Sequence, residues 1–484
     1  MEVIKSYIAG QFIDTDSDLR IDVFNPGTGD IYGQIIESSI SDVNNAVDSA
    51  KRISSYWAGI GIDKRCQFLL DFSNEIKSRL SEFAEMETRD TGKPITLSKS
   101  VDIPRSIENF KFFSEHTKNF SFSSELNSGT SRNRILNSPL GVVGCISPWN
   151  LPLYLFTWKI APALASGNTV IAKPSEIAPY TAYMLGEICN KISLPPGVLN
   201  ILQGRGSSVG NQMVKHEDIK AISFTGGTST GRIIYKNSAG SLKKLSLEMG
   251  GKNPAIVFAD SDYQSTLDNI VTSCFSNQGQ ICLCSSRIII EKKIYEKFRY
   301  DFCEKISHLK IGDPADEKTE YGAISSKEHL DKIIRYISLA KDEGARILHG
   351  GDEIILQGGC KDGYFFSPTV LEGLSQSSRL SQEEIFGPVV CLYSFDTEQE
   401  AVSRANDSNY GLSATIWTSD KKKANRVSNE INAGVIWINS WMIRDLRTPF
   451  GGMKHSGLGR EGGDYILEFF TEKKNICYPY ETKV

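Results

Sequence analysis

Several absences bound this sequence before any motif is read. No stretch of the 484 residues approaches the uninterrupted apolar length of a bilayer-spanning helix. Met1 through Asp14 lacks the sustained apolar core of a secretory signal, so a cytoplasmic protein is expected. The charge is close to balanced, −4 formally, with no large block of one sign, which argues against a nucleic-acid partner. The nearest thing to a block, Lys421-Lys422-Lys423, reads as a solvated helix face. The ten cysteines form no C-x-x-C pair, and the chain is far too long to be a disulfide scaffold. No two of the six histidines stand at i and i+4, which argues against a metal site. Repeats, low-complexity segments and a Pro/Ser-rich linker are also missing. Two or three closely packed domains with a cleft between them are therefore expected for this length.

What is present is an alternation of helical and strand-like stretches, which predicts an α/β fold with a largely parallel sheet. Ser41 to Ala50 reads as a helix capped by Ser41, with Val43, Ala46, Val47 and Ala50 on one face. Arg65 to Glu87 reads as another amphipathic helix. Short β-rich runs at 142–146, 169–172, 198–202 and 221–224 are each followed by Pro or Gly and then a helical pattern, the rhythm of a nucleotide-binding unit. A second series starts after Leu247, with probable strands at 254–258, 286–290 and 389–395.

Three glycine-rich segments compete for a cofactor phosphate. Gly457-Leu-Gly459-Arg-Glu-Gly462 fits the dinucleotide spacing but follows Met453-Lys-His-Ser456 rather than a buried strand, and reads as a loop. Gly204 to Gly210 follows a strand but misses the spacing by one residue. Phe224-Thr-Gly226-Gly-Thr-Ser-Thr-Gly231 follows a strand and leads into a helix, where free backbone amides can approach a pyrophosphate. A plain strand–turn–helix corner explains it equally well. Upstream, Lys173 and Glu176 could bracket an adenosine ribose, the carboxylate favouring NAD over NADP, or Ser175 could open a capping box.

One cysteine has a setting suited to chemistry. A Gly- and amide-rich stretch, Phe275-Ser-Asn-Gln-Gly-Gln-Ile, precedes Cys282 and leaves backbone donors near its sulfur, with Cys284 a rival two residues on. Glu248, between an apolar run and a glycine pair, is a candidate base or a capping residue. Asn150, in the proline-pinned turn Ser147-Pro-Trp-Asn-Leu-Pro152, is a candidate oxyanion donor or a turn residue.

Together these segments resemble the aldehyde dehydrogenase superfamily over nearly the whole chain. Pro148-Trp-Asn150, Lys173-Pro-Ser-Glu176, Phe224-Thr-Gly226, Leu247-Glu-Met-Gly-Gly251, Gly279-Gln-Ile-Cys282, Glu384-Ile-Phe386-Gly-Pro388 and Pro449-Phe-Gly-Gly452 stand in the family's order. The resemblance implies a Rossmann-like cofactor domain (1–120 and 140–247), an α/β catalytic domain (248–450) and a small β arm for homo-oligomerisation (121–139 and 464–484). It implies Cys282 as nucleophile, Asn150 with the Cys282 N–H as oxyanion donors, and Glu248 as the base that hydrolyses a thioester. The presence of Glu248 points to hydrolysis rather than acyl transfer to coenzyme A. For NAD it implies Ile146, Trp149, Lys173, Glu176, Phe224, Gly226, Gly231, Glu384 and Phe386. One departure is Gly227, where many members carry a serine.

Leu151, Trp158, Arg105 and Arg444 fall at positions that the resemblance assigns to the aldehyde channel. The run Trp441-Met-Ile-Arg444-Asp-Leu-Arg447 looks like the branch that oxidises 2-aminomuconic and 2-hydroxymuconic semialdehydes. Two guanidinium groups in one channel call for an anion, and Arg pairs bidentately with carboxylate. A substrate with a carboxylate remote from its aldehyde is expected, unless Arg444 or Arg447 pairs with Asp445 or Glu108.

Overall fold

A computed structural model describes residues 2–15 and 17–480. Two sheets organise it. The first has eight strands in the order Gly457–Leu458, Lys244–Glu248, Ala221–Thr225, Val142–Ile146, Thr169–Lys173, Leu199–Ile201, Tyr7–Ile8, Gln11–Phe12. Its middle five are parallel, and four of them, from Ala221 round to Ile201, are buried along their whole length, as strands covered on both faces must be. From Val142–Ile146 the chain builds outward in one direction, then returns to build in the other. That reversal opens a crevice beyond the carboxyl ends of the strands.

The second sheet has seven strands, in the order Arg346–His349, Thr369–Glu372, Val389–Phe395, Ser285–Glu291, Asn253–Val257, Ser413–Trp417, Val435–Ile438. All of its pairings but the first are parallel. The expected strands of both series are therefore present, displaced at their ends by a residue or two. A third sheet is antiparallel, Thr471–Pro479 beside Ser131–Pro139 beside Ser123–Asn127, and stands largely exposed.

The helices differ from expectation at their ends. The first runs Ile40–Gly59 and is capped by Ser39, not Ser41. Ser39 accepts from the Asp42 N–H, and the Asp42 carboxylate accepts from the Ser39 N–H at 2.7 Å, a reciprocal box that Ser41 has no partner to build. The expected helix from Arg65 to Glu87 is two helices, Ile62–Ser78 and Leu80–Thr91, broken at Arg79. Ser175 caps no helix: the next begins at Tyr180. The Lys421–Glu430 helix does start on the lysine run, but Lys423 pairs with Asp260 at 3.1 Å and lies over Phe258 rather than facing only solvent. Near the end of the chain, Gly463–Phe469 is helical and buries Ile466 and Leu467 in the main core, so the strand of the tail begins at Thr471. Residues 481–484 lie outside the described residues. No helix among the described residues is long and apolar enough to cross a membrane.

Candidate active site

The carboxyl ends of the first sheet face the amino ends of the second. Ile146, Lys173, Thr225 and Glu248 end their strands, while Cys282 and Phe386 lie just ahead of Ser285–Glu291 and Val389–Phe395. A cleft of about 360 Å³ runs between them, lined by Ile146, Trp149, Asn150, Lys173, Glu176, Phe224, Gly226, Gly227, Thr230, Cys282, His329, Glu384 and Phe386. A second cavity opens on the other side of Cys282, lined by Leu151, Tyr154, Trp158, Thr225, Glu248, Met442, Arg444, Phe450 and Glu461. The thiol stands where the two meet.

The loop before Cys282 is held in an unusual backbone conformation. Asn277, Gln278 and Gly279 have φ of 50°, 54° and 70°, three consecutive residues in the left-handed region. Asn tolerates that region and Gly is free in it, whereas Gln stores strain of roughly 1–3 kcal/mol. A Cβ on Gly279 would also collide with the Gly387 carbonyl oxygen, so glycine there lets the Cys282 loop seat against the Glu384–Pro388 segment. Asn277 donates to the Asn150 carbonyl at 3.0 Å, and the Asn150 side chain donates to the Gln280 carbonyl at 2.8 Å. Asn253 donates to the carbonyls of Cys282 (2.7 Å) and Cys284 (2.9 Å). Three amide side chains thus pin the loop from both sheets.

Two donors remain unused beside the sulfur. The Cys282 N–H meets no acceptor among the described residues, and Asn150 Nδ2 spends one of its two hydrogens. The rival Cys284 is buried and directs its thiol at the Ser276 carbonyl, 3.8 Å away, while Cys282 keeps part of its surface open to the cavities. Burial, then the charges of Glu384 and Glu248, pushes the Cys282 thiol up, and Arg444 pulls it the other way.

Two carboxylates share the wall of the second cavity. Glu248 ends its strand opposite Thr225 and is 3% exposed, yet among the described residues neither of its oxygens has a partner. Glu461, 1% exposed, accepts from Trp158 Nε1 and Lys159 Nζ, both at 2.8 Å, and from Ser223 Oγ at 3.2 Å. A buried carboxylate without donors disfavours its charge. Burial and then the Glu461 charge accordingly raise the Glu248 carboxyl well above its ordinary value, against Lys159, Arg460 and Arg444. The segment Gly457 to Gly462 is confirmed as a loop with a short strand. Its Gly457 pairs with Glu248 and its Leu458 with Leu247, so it holds the register of the Glu248 strand and delivers Glu461.

On the cleft side, Lys173 donates to Glu176 at 3.1 Å and to the Pro174 carbonyl at 2.9 Å. Glu176 also accepts from the Gly206 N–H at 3.3 Å, so the second glycine segment supports the carboxylate instead of a phosphate. The Thr228–Ser238 helix begins at Gly227 with no side-chain cap, leaving its first N–H groups free toward the cleft. Gly231 corrects an expectation. It is absent from the cleft lining, and a Cβ on it would collide with Met249 Sδ, so it serves helix-to-strand packing while Gly227 and Thr230 take the cleft position. Glu384 accepts from the Gly251 N–H at 3.0 Å, and Phe386 has φ of 61°.

On the other side, Arg444 lies over Phe450 at 4.0 Å and Trp158 at 5.2 Å and donates to the Tyr154 hydroxyl at 2.9 Å. Arg105 sits farther out, over the Tyr154 ring at 5.8 Å, in a mouth shared with Glu108, Arg444, Asp445 and Arg447. Asp445 pairs with Arg447 at 2.5 Å, and among the described residues neither Arg105 nor Arg444 has a carboxylate within 4 Å. Leu151 and Trp158 line the inner cavity.

Reading the sequence missed Tyr154, Glu461, Lys159 and His329. Tyr154 and Trp158 stand one helical turn apart, which is a legible signal. The Lys159–Glu461 pair, joined across 302 residues, carries none. His329 packs against Trp149 and Phe386, bonds the Phe386 carbonyl at 2.5 Å, and is lowered by burial to about 4, hence neutral.

A profile described as the aldehyde dehydrogenase family matches residues 12–476. The chain is 47% identical over 480 residues to a 2-aminomuconic semialdehyde dehydrogenase of Danio rerio, covering 98% of each. It is 41% identical to a 2-hydroxymuconic semialdehyde dehydrogenase of Pseudomonas sp. (strain CF600), covering 99% of each. Among solved structures, betaine aldehyde dehydrogenase from Staphylococcus aureus in complex with NAD⁺ superposes with a TM-score of 0.96 at 35% identity, covering 99% of this chain and 96% of that one.

Proposed function

The chain belongs to the aldehyde dehydrogenase family, and on that premise we propose that it oxidises a carboxylated semialdehyde of the 2-aminomuconic or 2-hydroxymuconic type to the acid, with NAD⁺ as acceptor. One observation carries the substrate class. Arg444 lines the cavity that holds Cys282, is boxed by aromatic faces, and has no carboxylate partner, while Asp445 neutralises Arg447 instead. A half-buried guanidinium left without an anion is completed by one that arrives with the substrate. A cationic aldehyde such as betaine aldehyde would meet repulsion there.

The Cys282 sulfur adds to the aldehyde carbon, its proton passing to the ionised Glu248. The resulting alkoxide takes the two unused donors, the Cys282 N–H and the second Asn150 hydrogen. Bound NAD⁺ supplies the hydride acceptor that converts this thiohemiacetal to a thioester. Glu248, once it has released the thiol proton to solvent, takes a proton from water as it attacks the thioester, and the Cys282 thiolate leaves. The carboxyl's raised pKa brings it toward the pH at which a base both exists ionised and binds a proton well. A cleft large enough for an extended ligand, an uncapped helix N-terminus at Gly227, and Glu176 fit a dinucleotide: amides for the pyrophosphate, a carboxylate for the ribose hydroxyls. Ile146, Trp149, Phe224, Glu384 and Phe386 would enclose the rest. Glu176 also disfavours a 2′-phosphate, and hence NADP.

In this reading residues 1–120 and 140–247 form the cofactor domain, 248–450 the catalytic domain, and the exposed strands of 121–139 and the tail an arm that pairs with a second copy. A cytoplasmic setting suits the free cysteines. The test is NADH formation from 2-hydroxymuconic semialdehyde against hexanal. A kcat/KM at least tenfold higher for the semialdehyde is expected, and equal values would overturn the substrate assignment.

A further inference from the structure

We propose that Tyr154 is a specificity-determining residue, donating its phenolic hydrogen to the remote carboxylate of the substrate while Arg444 holds its oxygen. This deepens the proposed function and rests on it. Tyr154 is 3% exposed and lines the same cavity as Cys282. Its oxygen accepts from Arg444 at 2.9 Å, which settles the direction of that bond, because a guanidinium can only donate. The phenolic hydrogen is then committed elsewhere, and it meets no acceptor among the described residues. Buried hydroxyls rarely leave a donor unused.

Charge decides what that donor awaits. Arg444 lies on one side of the phenol, and Arg105 lies over its ring at 5.8 Å. A donor set between two cations, neither of them neutralised by a protein carboxylate, selects an anionic acceptor over a neutral one. The residue is also held firmly enough to discriminate. Its carbonyl accepts from Asn109 Nδ2 (3.0 Å) and Thr157 Oγ1 (3.1 Å), so the first turns of the Pro152–Ala165 helix are pinned to the helix that bears Arg105. Tyr154, Arg444 and Arg105 thereby present three donors to one carboxylate at graded depths, with Tyr154 and Arg444 inner and Arg105 at the mouth.

The test compares Tyr154→Phe, Arg444→Ala and the double variant, each checked for an unchanged melting profile. The readout is kcat/KM for 2-hydroxymuconic semialdehyde divided by that for hexanal. Tyr154→Phe is expected to lower this ratio about tenfold, as loss of a hydrogen bond to a charged group does, through KM rather than kcat. In the double variant the ratio should fall below that of Arg444→Ala alone. A ratio that falls in Arg444→Ala but not in Tyr154→Phe overturns the role of Tyr154 and leaves the substrate class standing. Tyr154→Phe having no effect once Arg444 is gone overturns direct donation, since Tyr154 would then only position the guanidinium. A ratio unmoved in every variant overturns the proposed substrate class and this role with it. Should Tyr154→Phe misfold, competitive inhibition of the intact enzyme decides: hexanoate is expected to bind at least tenfold more tightly than the neutral hexanamide. Equal inhibition overturns the three-donor site.

Discussion

The two cavities that meet at Cys282 obtain their polarity in opposite ways. On the cleft side the charged groups are met within the protein, by one another or by backbone: Glu384 accepts from the Gly251 N–H at 3.0 Å, and Lys332 donates to the Glu384 carbonyl at 3.3 Å. Lys173 and Glu176, three residues apart, neutralise one another, and the free donors are backbone amides at a strand-to-helix corner. On the aldehyde side, among the described residues, two arginines lack a carboxylate partner and one carboxylate, Glu248, has no partner at all, and they come from segments far apart in the chain. Glu461 in the same wall shows that the fold can satisfy a buried carboxylate there when it needs to. In this contrast the guanidinium and carboxylate that lack an ionic partner face the cavity that receives the aldehyde, while the charges of the cleft are held by one another or by backbone.

Breaking the junction itself should have the largest effect. Cys282→Ala is expected to lower NADH formation by about 10⁴-fold or more, and a surviving rate would transfer the role to Cys284. Next is Glu248→Gln, expected to cost about 10²–10⁴-fold in steady-state turnover. With the enzyme incubated at high pH, where the thiol ionises unaided, a burst of about one NADH per site should persist, because only the later water attack then needs the base. Absence of that burst in stopped-flow absorbance would overturn a role confined to moving the thiol and water protons.

The same substitution sharpens the comparison through stability. The folded-state pKa of Glu248 is raised, so the folded protein holds a proton there that the unfolded chain releases above its ordinary value near 4.5. Stability is accordingly lost as pH rises from that value toward the folded pKa. Glu248→Gln removes the ionisation, so its melting temperature should gain on wild type by more at pH 8 than at pH 5. A gain independent of pH would show that the carboxyl titrates normally.

Arg444→Ala is expected to lower the semialdehyde-to-hexanal ratio by about 10–100-fold, the range for a lost charge-assisted bond. Arg447→Ala, which breaks only an exposed ion pair, should change it less than twofold. Removing Arg444 also withdraws a cation that lowers Glu248, so the acid limb of the kcat profile should move to higher pH. The last test belongs to the cleft. Glu176→Gln should narrow the preference for NAD⁺ over NADP⁺ by about tenfold, read from the two KM values.

Legibility follows the same division. The cleft was readable because its parts are short motifs at strand ends, where a Pro or Gly marks the corner: Trp149-Asn150, Lys173 to Glu176, Gly226-Gly227. Gly231 was misplaced because a glycine needed for close packing looks the same in sequence as one needed for a ligand. Ser39 and not Ser41 caps the first helix because only Ser39 has Asp42 three residues beyond it to complete the box. Arg105 and Arg444 were legible as an unusual residue type in the channel. That Arg447, not Arg444, takes Asp445 depends on where the loop points each side chain.

The sequence by itself determined the fold class and the ordered motifs, and it made Cys282 the candidate thiol, since each rests on local spacing and residue chemistry. Only the tertiary structure decided which carboxylate is satisfied and which is left unpaired, and which arginine keeps its charge. It also decided that a tyrosine stands between two guanidinium groups. Those outcomes are set by burial and by partners hundreds of residues away, and no local pattern encodes them.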